Sequence, residues 1–162
     1  MLPAAVTTAA AALLERCKAR GLMIVTAESC TGGLIAGALT EIAGSSAVVE
    51  RGFVTYSNAA KQEVLGVPAA YFPTPGAVSA ETAKAMAAGA LARSHADLAV
   101  AVTGVAGPGG GSAEKPVGLV WFAVCRRGGL PRAAQRIFPG DRSAIRQATV
   151  LQAFALLEGL LG

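Results

Sequence analysis

The sequence predicts one three-layer α/β/α domain over residues 1–162, with a mixed, mostly parallel β-sheet. Apolar residues make up 53% of the chain and charged residues only 15%, a balance that favours a buried core over disorder. Short apolar runs of strand length alternate with longer segments of helical pattern. Near the end of the chain, two strand-like segments flank "RRGGLP", which predicts an antiparallel hairpin within the sheet.

The first half of the chain divides into alternating helices and strands. In order, the pattern predicts a helix over 4–20, a strand over 22–27, a helix over 31–43, a strand over 46–57 and a short helix over 58–67. Gly21 and Gly44 are expected to end the first two helices. Thr31 and Asn58 are expected to cap the second and third, and Gly52 predicts an irregularity in the second strand.

The second half continues the same alternation before the hairpin. The predicted segments are a proline-containing loop over 68–78, a helix over 79–94, a strand over 96–104, a glycine-rich loop over 105–116, strands over 117–125 and 132–139, and a helix over 141–161. Ser79 and Asp141 have the side chains expected at the starts of the two helices.

Composition narrows the classes of function. The net charge of +4 suits an anionic small molecule, and the absence of a Lys/Arg run or an aromatic-rich stripe argues against nucleic acid. Three widely spaced cysteines without a CxxC pair indicate a reducing compartment and no zinc site. No apolar stretch reaches 18 residues and no basic leader precedes the first helix, so we expect a cytoplasmic protein without a membrane span.

The stretch "TAESCTGG" holds Ser29 where a strand passes into a helix. Side chains at that junction project from the carboxyl edge of a sheet, where α/β ligand sites gather. The amides of Thr31, Gly32 and Gly33 would lack intrahelical partners and could bind a phosphate or an oxyanion. The alternative is that Ser29 and Thr31 only cap the helix.

A nucleophilic serine needs a base, and the sequence offers few. The single histidine, His95, lies in a connection and is expected to face solvent, as is Lys84 within an alanine-rich helix. Lys61 follows a strand end in "VTYSNAAKQEVLGV", so it and Tyr56 could turn toward the same sheet edge. A buried lysine has a lowered pKa and can accept a hydroxyl proton, whereas an exposed Lys61 could not serve.

Two further stretches are compatible both with ligand binding and with a purely structural role. The glycines of "TGVAGPGGGS" could surround a phosphate or ribose, although neither a P-loop nor a GxGxxG pattern is present, and a plain loop is the alternative. Arg142 and Arg146 in "PGDRSAIR" lie one helical turn apart, where they could hold an acidic group or simply face water.

Together these stretches resemble the carboxy-terminal domain of the competence/damage-inducible protein CinA. The resemblance is carried, in the family's order, by "TAESCTGG", "GSSAVVERGFVTYSNAAK", "LGV", "GAVSAETAKAMA", "VTGVAGPGGGSAEKPVGLVWFAV" and "PGDRSAIR". It covers nearly the whole chain and leaves no room for the amino-terminal nucleotide-processing domain of full-length CinA.

The resemblance implies a metal-free hydrolysis of the carboxamide of nicotinamide mononucleotide to nicotinate mononucleotide and ammonia, within pyridine nucleotide recycling. It implies that Ser29 is the nucleophile, Lys61 the base and Tyr56 an assisting group. Cys30 adjoins Ser29 and is intrinsically the better nucleophile, but without a histidine partner we interpret it as a packing residue.

The resemblance also implies substrate contacts and an assembly. Ser46, Thr103 and Gly104 would line the site, and Arg142 would contact the substrate; with the glycine-rich loop it is expected to favour the 5′-phosphate. Related domains are often dimers or larger, so a homo-oligomer is expected. The alternative function is a catalytically silent competence or damage-response accessory protein that binds a partner; intact Ser29, Tyr56 and Lys61 favour the enzyme.

Overall fold

The computed structural model describes every residue from Met1 to Gly162 and contains five strands and five α-helices. The strands are β1 (Ile24–Glu28), β2 (Val49–Val54), β3 (Leu98–Gly104), β4 (Leu119–Arg126) and β5 (Arg132–Ile137). The helices are α1 (Ala4–Ala19), α2 (Leu34–Thr40), α3 (Asn58–Leu65), α4 (Ala80–Ala92) and α5 (Arg142–Gly159). Every predicted helix and strand is therefore present, most with narrower bounds than the pattern suggested.

The five strands form one sheet in the order β2-β1-β3-β4-β5. Strand β1 pairs in parallel with β2 and β3, whereas β4 runs antiparallel to both β3 and β5. Four strands thus share one direction and β4 opposes them, which confirms the mixed, mostly parallel sheet and its antiparallel hairpin. The register shift in β2 falls at Glu50 and not at the predicted Gly52, which pairs normally with Thr26.

Helices cover both faces of the sheet, which confirms the three-layer prediction. Helices α1, α2 and α5 pack on one face, and α3 and α4 lie on the other. Alternate residues of β3 serve the two layers, since Leu98, Val100 and Val102 join the first core and Ala99 and Ala101 the second. The second core is built mostly from small side chains of the sheet and of α4, so few large apolar groups are needed there.

Helix α3 lies against α4 at a point where only a glycine fits. A Cβ added to Gly89 of α4 would lie 2.0 Å from the carbonyl oxygen of Leu65, the last residue of α3. Real Cβ atoms do not approach a backbone oxygen so closely, so a side chain here would push α3 away. Gly89 therefore helps to set the position of the helix that carries Lys61.

Side-chain caps agree with the sequence at two helices and differ at two others. Ser79 and Asp141 accept hydrogen bonds from backbone amides in the first turns of α4 and α5, as predicted. At α3 the cap is Ser57, one residue before the predicted Asn58. Helix α2 begins only at Leu34, so the predicted cap Thr31 lies outside it.

Candidate active site

Ser29 is the first residue after β1, and it opens onto a cavity of about 320 Å³ at the carboxyl edge of the sheet. Its amide still donates to the carbonyl of Val102 at 3.1 Å, which extends the pairing of β1 with β3. Ser29 as a whole is only 8% exposed. The rest of the cavity is formed by Cys30, Tyr56, Asn58, Lys61, Ala77, Val78, Thr103 to Gly107, Gly109, Gly110 and Arg142.

Lys61 reaches Ser29 from the neighbouring strand connection. Because β2 lies parallel beside β1, the chain that leaves β2 starts α3 next to the end of β1. The amide of Thr55 donates to the Glu28 carbonyl at 2.9 Å and holds the two strand ends together. The Lys61 side chain is 1% exposed, and its Nζ lies 2.9 Å from Ser29 Oγ.

The remaining partners of the Lys61 amine are both backbone carbonyls. Nζ donates to the oxygens of Thr55 at 2.9 Å and Tyr56 at 3.1 Å, and it forms no salt bridge. Burial lowers the pKa of Lys61 from 10.5 to about 8, because the charged form loses its hydration. A neutral amine has two N–H donors and one lone pair, so with both carbonyls satisfied its lone pair is left for the Ser29 hydroxyl.

Glu28 is a buried acid whose role was missed by the sequence analysis. Its carboxylate is fully buried and accepts hydrogen bonds from the Thr31 hydroxyl at 2.6 Å and from the amides of Ile35 and Ala36 at 2.8 and 3.0 Å. It thus caps α2 in place of Thr31 and ties that helix to the strand that ends at Ser29. No local spacing rule pairs a strand residue with amides seven and eight positions later, so sequence alone gave no signal.

This arrangement argues against the predicted phosphate site at the start of α2, because the first-turn amides are already occupied. The first-turn amides already bind Glu28, and none of Thr31, Gly32 and Gly33 lines the cavity. The Gly32 amide donates to the Ser29 carbonyl at 2.9 Å and closes a turn. The amides of Cys30 and Thr31, in contrast, donate to no other residue of the chain.

Tyr56 and Arg142 form a second polar group on the cavity wall. The Arg142 guanidinium donates to the Tyr56 hydroxyl at 3.0 Å and to the Gly107 carbonyl at 2.9 Å, so it joins the tyrosine to the glycine-rich loop. Tyr56 is 59% exposed and contacts Lys61 only through its backbone carbonyl. Tyr56 and Lys61 therefore line the same cavity, but the tyrosine hydroxyl forms no hydrogen bond with the lysine amine.

Thr103 and Gly104 line the cavity at the end of β3, as expected. The Thr103 hydroxyl donates to the Ala77 carbonyl at 2.8 Å and fixes the loop that follows Pro75 against the sheet. At Gly104 a Cβ would lie 2.8 Å from the carbonyl oxygen of Leu119, so the close pairing with β4 requires glycine.

Ser46 does not line the cavity, contrary to the expectation. It is exposed in a short 3-10 turn over Ser45–Ala47 that precedes the amino end of β2. Because β1 and β2 are parallel, Ser46 and Ser29 lie at opposite edges of the sheet.

The competing nucleophile and bases lie in unsuitable surroundings. Cys30 is 6% exposed, and burial raises the pKa of its thiol to about 11, which disfavours the reactive thiolate. His95 and Lys84 are both exposed, as predicted, and neither borders the cavity. No group of three or more His, Cys, Asp and Glu side chains is arranged to hold a metal ion, and no helix is long and apolar enough to cross a bilayer.

Fold and site together define a three-layer α/β domain with a serine–lysine pair buried at the carboxyl edge of a mixed sheet. Residues 6–161 match the family model of the CinA C-terminal domain, and the chain belongs to that family. It is 57% identical over 134 residues to a nicotinamide-nucleotide amidohydrolase, PncC, of Enterobacter agglomerans, covering 82% of each chain.

Longer matches extend the likeness over nearly the whole chain. A protein of the same name from Pseudomonas putida is 52% identical over 156 residues, which cover 96% of this chain and 95% of that one. The crystal structure of a competence/damage-inducible protein from Agrobacterium tumefaciens has a TM-score of 0.97 and 55% identity, covering 100% of this chain and 99% of the other.

Proposed function

We propose that this chain hydrolyses the carboxamide of nicotinamide mononucleotide to nicotinate mononucleotide and ammonia, with Ser29 as nucleophile and Lys61 as base. The observation that carries the mechanism is the 2.9 Å contact between the buried Lys61 amine and the Ser29 hydroxyl. The substrate is supported by the names of the relatives from Enterobacter agglomerans and Pseudomonas putida, both nicotinamide-nucleotide amidohydrolases.

In the first half of the reaction, the neutral Lys61 amine takes the proton of the Ser29 hydroxyl. The Ser29 oxygen forms a bond to the carboxamide carbon, and the electron pair of the C=O bond moves to its oxygen. When this tetrahedral intermediate collapses, the C–N bond breaks. The leaving nitrogen takes the proton from the Lys61 ammonium and departs as ammonia, which leaves a nicotinoyl ester on Ser29.

In the second half, water replaces the ester. Lys61, neutral again, takes a proton from the attacking water, whose oxygen forms a bond to the ester carbon. The Ser29 oxygen then leaves with the proton returned by Lys61, and the product is the nicotinate carboxyl group. The negative oxygen of each tetrahedral intermediate needs hydrogen-bond donors, and the unpaired amides of Cys30 and Thr31 are the donors nearest along the chain to Ser29.

The ribose 5′-phosphate is proposed to bind where Arg142, Tyr56 and the glycine-rich loop line the cavity. There Arg142 extends beside Tyr56, and the glycine-rich loop exposes Gly107, Gly109 and Gly110. Arginine forms strong, charge-assisted hydrogen bonds to phosphate, and glycines allow a phosphate to approach the backbone. Binding energy from this remote group would position the carboxamide at Ser29.

We also propose the domain organisation, cofactor requirement, compartment and assembly in which the chain acts. The chain would act as a single domain over residues 1–162, without a metal or an organic cofactor. It would work in pyridine nucleotide recycling in the cytoplasm, as a homo-oligomer, with neither nucleic acid nor membrane as a partner. The mild positive charge of +4 is consistent with an anionic nucleotide substrate.

Ammonia release tests this function directly. The purified chain is given nicotinamide mononucleotide, nicotinamide riboside or free nicotinamide, each with and without a chelator. We expect efficient release from the mononucleotide alone, unchanged by the chelator. Loss of activity with chelator would contradict the metal-free mechanism. No ammonia from any of the three would favour the accessory-protein alternative.

A further inference from the structure

Arg146 lies one turn after Arg142 on α5, but it points to a different part of the site. Its Nε donates to the carbonyl of Cys30 at 3.2 Å, and its Nη2 donates to the carbonyl of Thr31 at 3.0 Å. It forms no salt bridge and does not line the cavity. Its partly buried guanidinium is therefore committed to two consecutive carbonyls of the turn that follows Ser29.

Holding a carbonyl also fixes an amide. The Cys30 carbonyl and the Thr31 N–H belong to one planar trans peptide, in which the two groups point in opposite directions. Because Arg146 holds the Cys30 oxygen on its own side, the Thr31 N–H is directed away from α5. The second contact acts in the same way on the Thr31 carbonyl and the Gly32 amide, which donates to Ser29 and closes the turn.

The Thr31 amide that results is a donor without a partner. Within this turn the Ser29 amide binds Val102 and the Gly32 amide binds the Ser29 carbonyl, whereas the Thr31 amide binds nothing in the chain. The Thr31 side chain is fully buried and tied to Glu28, so the residue is held from both sides. Unpaired amides in buried backbone are rare, and one that lies two residues after a nucleophile has an evident use.

We propose that Arg146 is a positioning residue, which holds the Cys30–Thr31 peptide so that the Thr31 N–H donates to the oxyanion formed when Ser29 is acylated. The proposal rests on the nucleophilic role of Ser29 proposed above, although not on the identity of the amide. Arg146 contacts no reacting atom and acts only through the backbone. Oxyanion donors must be oriented before the charge develops, so small rotations of this peptide reduce the rate of acylation.

The test compares Arg146→Lys and Arg146→Ala with Arg136→Ala, a matched removal of an exposed arginine on β5. Lysine keeps the charge but lacks the planar fork that holds two carbonyls. For turnover of nicotinamide mononucleotide, we expect kcat to fall roughly tenfold or more in both Arg146 variants, toward the effect of losing an oxyanion donor. KM should change little, and the midpoint of the pH–rate profile should stay in place because Arg146 does not touch Lys61. Arg136→Ala should behave as the wild type.

A second readout does not depend on the natural substrate. A phosphonofluoridate labels a nucleophilic serine with loss of fluoride, and its P=O oxygen needs the same donors as the oxyanion. The rate of labelling at Ser29, followed by intact mass and located by peptide mapping, should also fall about tenfold in Arg146→Lys. Because lysine conserves charge, this variant remains informative if Arg146→Ala fails to fold.

The outcomes separate the two proposals. If the wild type were labelled at Ser29 but released no ammonia, the proposed substrate would be wrong. The labelling rates of the variants would still test the role of Arg146. Labelling and kcat at wild-type levels in Arg146→Lys would overturn the positioning role, as would an effect confined to KM or a shifted pH midpoint. Failure of the wild type to label at Ser29, together with full activity of Ser29→Ala, would remove the nucleophile on which Arg146 is argued to act.

Discussion

The amine of Lys61 lies 2.9 Å from the hydroxyl oxygen of Ser29, and both side chains are almost completely withdrawn from solvent. Two backbone carbonyls occupy the remaining hydrogen-bond directions of the amine. No acid forms a salt bridge with the lysine, so burial is the largest influence on its pKa. These features together make a lysine that can lose its proton at moderately alkaline pH and whose lone pair is then directed at a serine.

The pH dependence of turnover should report this lysine. Because burial lowers the pKa of Lys61 to about 8, the neutral base becomes more abundant as pH rises. We expect kcat/KM to increase tenfold per pH unit below the midpoint and to level off above about pH 8. A profile measured from pH 6 to 9.5 checks this, and a flat profile across that range would exclude a titrating lysine base.

Replacement of Lys61 by arginine separates base chemistry from simple positive charge. A guanidinium stays protonated at every accessible pH, so Lys61→Arg should be nearly as inactive as Lys61→Met. Lys84→Arg, on the exposed face of α4, is the matched control and should keep wild-type activity. Substantial turnover by Lys61→Arg, measured as ammonia release, would show that the group at this position is not the base.

The same buried amine should lower the stability of the fold. Below about pH 8 the folded chain bears a charged Lys61 in a site that resists charge, so Lys61→Met should unfold at higher temperature, with a gain of roughly 1–2 kcal/mol. Between about pH 8 and 10.5 the unfolded chain binds more protons at this lysine than the folded chain. Wild-type stability therefore rises with pH in this range, and the difference in stability between Lys61→Met and the wild type becomes smaller. Thermal unfolding of both proteins at pH 7 and pH 9.5 measures this difference. A stability difference that grows with pH would contradict the prediction.

Arg142 and Tyr56 are expected to act mainly on substrate binding. Removing the guanidinium in Arg142→Ala should raise KM for nicotinamide mononucleotide by about 10- to 100-fold, because a charge-assisted phosphate contact is lost. Tyr56→Phe removes only the hydroxyl that accepts from Arg142, so a smaller increase in KM is expected. Nicotinamide riboside, which lacks the phosphate, is the control substrate. If Arg142→Ala raised KM equally for the riboside and the mononucleotide, the phosphate would have to bind elsewhere.

Glu28 should be needed for folding around the nucleophile. Glu28→Ala would leave the Thr31 hydroxyl and two amides of α2 without their acceptor, at a cost of roughly 2–4 kcal/mol. Glu63→Ala, an exposed acid on α3, is the control and should change stability by less than about 0.5 kcal/mol. Denaturant unfolding provides the comparison. Equal stabilities of the two variants would mean that the Glu28 carboxylate does not support this turn.

The order of the helices and strands and the candidate catalytic residues could be predicted from the sequence, because both depend on local residue patterns. Apolar runs marked β1 and β3, and the strand-to-helix junction marked Ser29. The partners of those residues depend on topology, which local pattern does not contain. Only the parallel pairing of β1 with β2 brings Lys61 to Ser29, and the same pairing takes Ser46 to the far edge.

Long-range contacts explain the other differences. Thr31 had the residue type of a helix cap, but Glu28 reaches the amides of α2 from the preceding strand and displaces it. Tyr56 and Lys61 both line the cavity, as the sequence suggested, but the hydroxyl of Tyr56 is bound by Arg142 of α5, 86 positions along the chain. The sequence pattern places Arg146 one helical turn after Arg142. It does not reveal the two carbonyl groups that Arg146 binds, which lie 115 and 116 residues away. Contacts of this separation have no signature in a single sequence.

The most direct test of the central claim is ammonia release from nicotinamide mononucleotide by Ser29→Ala and Cys30→Ala, measured beside the wild type. If Ser29 is the nucleophile, Ser29→Ala should lose at least about 10⁴-fold in kcat while remaining folded, as expected for loss of a covalent nucleophile. Cys30→Ala should retain most of its activity, because the thiol is buried and its raised pKa keeps it protonated. Near wild-type turnover by Ser29→Ala, with an inactive Cys30→Ala, would contradict the account.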